Sequence, residues 1–159
     1  MKFDNDYNLL TKPNLGKRFV AGLIDYGLIV LYFILMIYLF GEPNDDGGHS
    51  VNGWPAFSIL VVWFLLTVGL EQFTGSTLGN KSQRLIVKPK MGLHKNLTFG
   101  QSFKRHLLDM IDLWPFGLIG ILTIKNTEHN QRLGDLWAKT IVLDVTDPEQ
   151  GRTQKEKKN

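Results

Sequence analysis

Residues 19–40 read FVAGLIDYGLIVLYFILMIYLF, 22 residues whose one charge is Asp25. A helix needs about 20 apolar residues to cross a hydrocarbon core of roughly 30 Å, so this stretch predicts a membrane span. A cleavable leader would have a shorter apolar core and a small-residue cleavage site, whereas this run ends in Tyr38-Leu39-Phe40-Gly41-Glu42 and is expected to stay attached. Trp54 to Phe73 is a second run of span length, uncharged until Glu71. Between them, Gly41 to Gly53 is rich in turn residues.

A third apolar region, Leu107 to Ile124, contains Asp109, Asp112 and the Trp114-Pro115 step, and its uncharged part from Leu113 has only 12 residues. At about 1.5 Å per residue that part covers roughly 18 Å and falls short of the core. Charge then orients the chain. Residues 1–18 carry four Lys/Arg, the 41–53 loop carries three acids and no base, 74–105 carries seven bases and no acid, and 125–159 carries seven bases. Positive segments stay in the cytoplasm, which places 1–18 and 74–105 there and the acidic loop outside. A single crossing by the third region would export the basic tail, so Pro115 and Gly117 are expected to fold it into a helical hairpin or re-entrant pair.

The expected fold class is therefore an all-α integral membrane protein with two full transmembrane helices, at about 19–40 and 54–73. A Pro-broken hydrophobic hairpin or re-entrant region follows, within a helical stretch at about 99–124. Residues 83–88 (QRLIVK) and 137–145 (WAKTIVLDV) read as short strands able to pair on the cytoplasmic side. Thr98 is a candidate cap for an amphipathic interfacial helix, and Trp54 and Trp114 are candidate interfacial anchors. Organisation follows: a cytoplasmic segment 1–18, a membrane domain 19–145 and a polar tail 146–159 expected to be disordered.

Averages exclude little here. The 159 residues are 43% hydrophobic and 21% charged with a net charge of +3, too small an excess to argue for nucleic acid. The absence of cysteine removes disulfides, thiolate zinc sites and cysteine nucleophiles. His49, His94, His106 and His129 lack metal-ligand spacing. Gly75 to Ser82, GSTLGNKS, approaches a phosphate-binding loop, but Asn80 replaces the second glycine and a membrane helix precedes it instead of a strand. No cofactor and no catalytic role are expected.

The acids in or beside apolar segments are what call for a purpose. Burying an ionisable group in a membrane costs about 2.5–3.5 kcal/mol on insertion scales, so Asp25, Glu71 and Asp112 are candidate proton or cation sites. Asp25 stands two helical turns from Arg18, which is expected to snorkel to the cytoplasmic surface. The alternative for Asp25 is a hydrogen bond or ion pair that locks helix packing. Ala21 and Gly22 would admit a second helix, in a homo-oligomer or larger membrane complex. Asp109 is expected to pair with Arg105 at i−4. Lys81, Arg84, Lys88 and Lys104 are expected at anionic lipid head groups, with the bilayer as the main partner and no nucleic acid.

Four blocks then coincide in order: Lys17-Arg18-Phe19-Val20-Ala21-Gly22-Leu23-Ile24-Asp25, Gly75 to Val87, Leu97 to Arg105, and Asn130-Gln131-Arg132-Leu133-Gly134-Asp135 continuing to Val142. Over residues 14–145 the chain resembles the RDD family of small bacterial membrane proteins, named for one arginine and two aspartates. The resemblance puts these on Arg18, Asp25 and Asp135, with the departure that Gln131 precedes Arg132 where an aspartate is usual. It implies a protein of the bacterial inner membrane, while the charge distribution is what places both termini in the cytoplasm of a multi-pass chain. Some members look like sodium/proton exchangers, and others like assembly partners of membrane complexes.

Overall fold

The computed structural model describes residues 9–113 and 117–152. Helix α1 spans Leu15–Phe40 and is 26 residues long, about 39 Å at 1.5 Å per residue. A short hairpin of β1 (Glu42–Pro43) and β2 (His49–Ser50) occupies the acidic loop. The second span runs Gly53–Thr74: α2 (Gly53–Phe64), a π-helical segment Leu65–Gly69, and α3 (Leu70–Thr74). Then come α4 (Leu78–Ser82), β3 (Leu85–Pro89), α5 (Phe99–Leu107), α6 (Asp109–Asp112), α7 (Leu118–Asn126), α8 (Leu133–Ala138) and β4 (Thr140–Asp144).

Both spans are long and apolar enough to cross a membrane, and only 11% of the most apolar window of each is buried. The core helix of a water-soluble protein would hide such a surface; here Leu31, Ile34, Leu39 and Leu60 lie exposed. The π segment gives the second span its inward face. No residue of α2 is buried, whereas Thr67, Val68 and Glu71 are, as expected where one wider turn re-aims the side chains that follow. Gly75, at φ +78°, ends α3 in the left-handed conformation open to glycine.

The shorter helices are inverted relative to a soluble protein. Helix α5, started by a Thr98–Gln101 capping box, buries Ser102, Arg105 and His106 and exposes Phe99 and Leu107. In α6, Asp109 and Asp112 are buried while Met110 is 85% exposed. Helix α8 buries Asp135 and exposes Leu136 and Trp137. Charge inside and apolar surface outside is the arrangement a hydrocarbon solvent selects.

Among the described residues, the helical stretch expected at 99–124 holds three helices. Leu108, at ψ 0°, breaks α5 from α6, and Gly117, at φ +81°, precedes α7. Helix α7 returns against α6, because a Cβ on Gly120 would sit 2.9 Å from the Asp112 carbonyl oxygen. The Trp114-Pro115 step lies outside the described residues.

Strands β3 and β4 pair antiparallel from Leu85↔Asp144 to Pro89↔Thr140. Leu85, Val87, Leu97 and Val142 pack together, and Ile141 and Leu143 pack with Leu9. The tail departs from expectation up to residue 152. Leu10 and Arg152 are joined by a 2.9 Å backbone hydrogen bond, Gly151 donates to Leu10, and Asn14 donates to Gln150. Lys12 and Asp147 add an ion pair. These partners lie at the other end of the chain, so the local polarity of 146–152 gave no sign of them. Residues 153–159 lie outside the described residues.

Candidate functional site

A buried ionic network joins the first span to everything after the second. Arg105 is at its centre. Its Nη2 lies 2.7 Å from Glu71 Oε1 and its Nη1 contacts Asp135 Oδ1, with all three side chains almost fully buried. Ser102 donates to Glu71 Oε2 at 2.6 Å. Arg18 reaches Asp135 Oδ2 at 3.2 Å and donates to the Asn130 carbonyl at 2.9 Å. Asp135 thus receives α1, α5 and its own helix start, where the Arg132 amide donates to it at 3.3 Å.

A second group surrounds Asp109. Tyr26 of α1 donates to its Oδ2, His106 Nδ1 lies 2.7 Å from the same oxygen, and Arg132 Nη1 lies 2.7 Å from Oδ1. His106 Nε2 lies 3.4 Å from Glu71 Oε2, which links the two groups. Asp112 accepts 3.0 Å hydrogen bonds from the amides of Leu133 and Gly134 at the start of α8, where a carboxylate is favoured by the free amides and the helix dipole.

Asp25 stands apart from the arginines. Thr77 donates to Oδ2 at 2.6 Å and the Gly79 amide donates to Oδ1 at 2.7 Å. The approach is close because Gly79 has no side chain; a Cβ there would overlap the Ala21 carbonyl. Among the described residues no cationic group forms an ion pair with Asp25.

Three expectations are corrected. Arg105 does not pair with Asp109: the break at Leu108 removes the i,i+4 geometry, and Glu71 and Asp135 claim the guanidinium. Arg18 does not snorkel to the surface; buried Asp135 holds it inward. Ala21 is not free for a helix of another chain, since it packs on Gly79 of α4, while a Cβ on Gly22 would meet nothing within 4 Å. Sequence reasoning also missed Tyr26, Thr77, Gly79, His106 and Arg132. The small-residue block around Gly79 and the arginine three residues before Asp135 were the available signals. Lys81, Arg84 and Lys104 are exposed and Lys88 half-exposed, with Lys104 lying 5.6 Å from the Trp137 ring centre.

Electrostatics outside the spans follow from this packing. Burial disfavours charge on Asp135, and Arg105, Arg132 and Arg18 outweigh it, holding its pKa below the ordinary carboxylate value. Asp109 is lowered in the same way, burial being overcome by Arg132 and His106. Asp112 goes the other way, because burial lifts it and Arg132 with two amides only partly offsets that.

Burial opposes a charge on His106, yet Asp109 and Glu71 outweigh it and raise its pKa above 6.5. The folded state then binds this proton more tightly than the unfolded chain. Its contribution to stability is full below about pH 6.5 and is lost as pH rises through the folded value. Thermal unfolding in detergent from about pH 6 to pH 9 should show declining stability in wild type and a flatter profile in His106→Gln. Parallel declines in the two proteins would contradict this assignment.

Above the network lies a cavity of about 560 Å³ between α1 and α7. Arg18, Asp25, Tyr26, Arg105, His106, Asp109, Asp112 and Arg132 form its polar floor, with Asp25 the carboxylate that no arginine pairs, and Phe19, Leu23, Val30, Ile121 and Ile124 form its walls.

Two exposed apolar helices of span length above an interior of paired charges define a membrane protein built around a buried ionic network. The RDD family model matches residues 12–139, and the chain belongs to that family. No curated protein and no solved structure matches it.

Proposed function

We propose that this RDD-family membrane protein exchanges a monovalent cation for a proton at the floor of the cavity. One observation carries the reading, the charge balance of the network. Five buried carboxylates, Asp25, Glu71, Asp109, Asp112 and Asp135, face three guanidinium groups, Arg18, Arg105 and Arg132. Protonated His106 supplies a fourth positive charge and leaves one negative charge over. An uncompensated buried charge is costly, so one proton or one monovalent cation completes the neutral state and the two compete. Asp25, without an arginine partner, is where that deficit resides.

In this reading the amino terminus, residues 74–105 and the carboxyl terminus face the cytoplasm of a bacterial cell, and the β1–β2 hairpin faces outward. The β3–β4 pairing and the bond from Leu10 to Arg152 support an even number of crossings, because paired segments share one side of the bilayer. Lys81, Arg84, Lys88 and Lys104 meet anionic head groups. Two spans do not enclose a pathway, so the proposal includes a homo-oligomer or a larger membrane complex.

The test uses liposomes with a trapped pH dye and imposed sodium, lithium or potassium gradients. Wild type is expected to move protons in response, and Asp25→Asn, which keeps an oxygen for the Gly79 amide, to lose at least about 90% of the rate, or roughly 1.4 kcal/mol of barrier. No movement from folded, inserted wild type overturns the proposal. A second reading, a non-catalytic scaffold, draws support from the way the network ties α1, α3, α5, α6 and α8 together. It expects Asp25→Asn to fail to accumulate.

A further inference from the structure

The cavity is far larger than an alkali ion requires. Its volume of about 560 Å³ falls within the range of sites for drug-sized molecules, roughly 300–1,000 Å³. Its walls, from Phe19, Leu23 and Val30 on one side to Ile121 and Ile124 on the other, offer no oxygen to a small ion. We infer that it takes a lipophilic organic monocation, an apolar body carrying a single positive charge.

A bare alkali ion must exchange its hydration shell for several oxygens at close range. Here each of the four nearest carboxylate oxygens already accepts a hydrogen bond, which leaves fewer lone pairs for an ion. Both of Asp25 accept hydrogen bonds, from Thr77 and Gly79, and both of Asp112 accept them from Leu133 and Gly134. A large cation gives up little hydration when it leaves water. It gains about 25 cal/mol for each Å² of apolar surface buried against these walls, and it feels the uncompensated carboxylate through a medium of low dielectric. Its charge does not need to touch the oxygens.

Two further features fit such a ligand. Phe19 and Leu23 line the cavity and also stand on the exposed face of α1, so the space is continuous with the surface that meets lipid. An amphiphile dissolved in the bilayer has a lateral way in. His106, almost fully buried between Asp109 at 2.7 Å and Glu71 at 3.4 Å, places a titratable group in the same floor. The inference rests on the exchange reading for the counter-moving proton and on the cavity itself for binding.

Gly22 provides the test. It lines the cavity, and a Cβ built on it meets nothing within 4 Å, so the side chain of Gly22→Leu starts in open space, takes up cavity volume and replaces a poor helix former by a good one. Tetraphenylphosphonium is titrated into the full-length protein in lipid nanodiscs, against empty nanodiscs. Saturable binding of about one cation per chain is expected, weakened roughly tenfold or more by Gly22→Leu and by Asp25→Asn with helix content unchanged. Uptake equal to that of empty nanodiscs, or binding indifferent to Gly22→Leu, overturns the inference. Alkali gradients that move protons without any specific phosphonium binding overturn it and leave the exchange reading standing. Specific binding with no proton movement in any gradient supports it and removes the exchange reading.

Discussion

Arg105→Met is expected to prevent stable accumulation of the protein, or to lower its unfolding free energy in detergent by about 3–5 kcal/mol, the usual cost of stranding one side of a buried ion pair. The guanidinium holds Glu71 at 2.7 Å and contacts Asp135, both fully buried. Methionine fills a similar volume and satisfies neither. Glu71 on the second span then keeps only Ser102 and His106, and Asp135 on α8 keeps Arg18 and its own helix start, so each carboxylate loses its closest positive charge in the interior. Arg105→Lys tests geometry apart from charge. A single ammonium cannot fork between two carboxylates, so a loss intermediate between wild type and methionine is expected. Arg105→Met combined with Glu71→Gln should recover part of the loss, because one of the stranded charges is gone. Unfolding by denaturant in detergent measures all three, and wild-type stability in Arg105→Met would show that the network does not hold the fold together.

Gly79→Ala is the second large effect. The added Cβ would overlap the Ala21 carbonyl and approach Asp25 Oδ2 to 2.7 Å. The Ala21 carbonyl is helix backbone and cannot swing aside as a side chain can, so α4 must withdraw from α1. Overpacking of this kind costs about 1–3 kcal/mol, and the retreat also takes the Gly79 amide away from Asp25. Gly22→Ala, three residues before Asp25, is the matched control. It faces open space and replaces the poorest helix former other than proline, so a gain of up to about 1 kcal/mol is expected. Opposite signs for two glycines on either side of one carboxylate, read from the same unfolding curves, would locate the close contact; equal signs would contradict it.

The two spans were legible because the bilayer imposes a length, and a run of apolar residues states that length directly. The acids were legible for a related reason: Asp25 and Glu71 stand out in a background that contains almost no other charge. Their partners were not. Local rules join residues three or four apart, and by such a rule Arg105 belongs to Asp109. The helix breaks at Leu108, however, and Arg105 finds Glu71 from 34 positions away and Asp135 from 30. Arg18 finds Asp135 across 117 positions. Those choices are made by packing in three dimensions, where burial forces each carboxylate to take whichever guanidinium the fold delivers. The Gly75–Ser82 segment was obscure in another way. It read as a failed phosphate-binding loop, while Thr77 and Gly79 within it provide the hydrogen bonds that hold Asp25.

The inverted helices show the same division. The pattern of α5 suggested an amphipathic helix lying at the interface with its charges toward water. In the folded chain Arg105 and His106 of α5 turn inward, onto Glu71, Asp109 and Asp135, while Phe99 and Leu107 turn outward with Lys104. A sequence pattern gives the two faces of a helix. It does not say which solvent each face meets, and in a membrane protein with a charged interior the ordinary assignment reverses.

The central claim is that the network carries one negative charge more than its three arginines and protonated His106 neutralise, with Asp25 as its location. The most direct measurement is the number of protons released when cation is added to the purified protein in weakly buffered detergent, read with a pH dye on wild type and Asp25→Asn. The account predicts release of about one proton per chain from wild type at saturating cation and none from Asp25→Asn. Cation binding with no proton release, or equal release from both proteins, would contradict it.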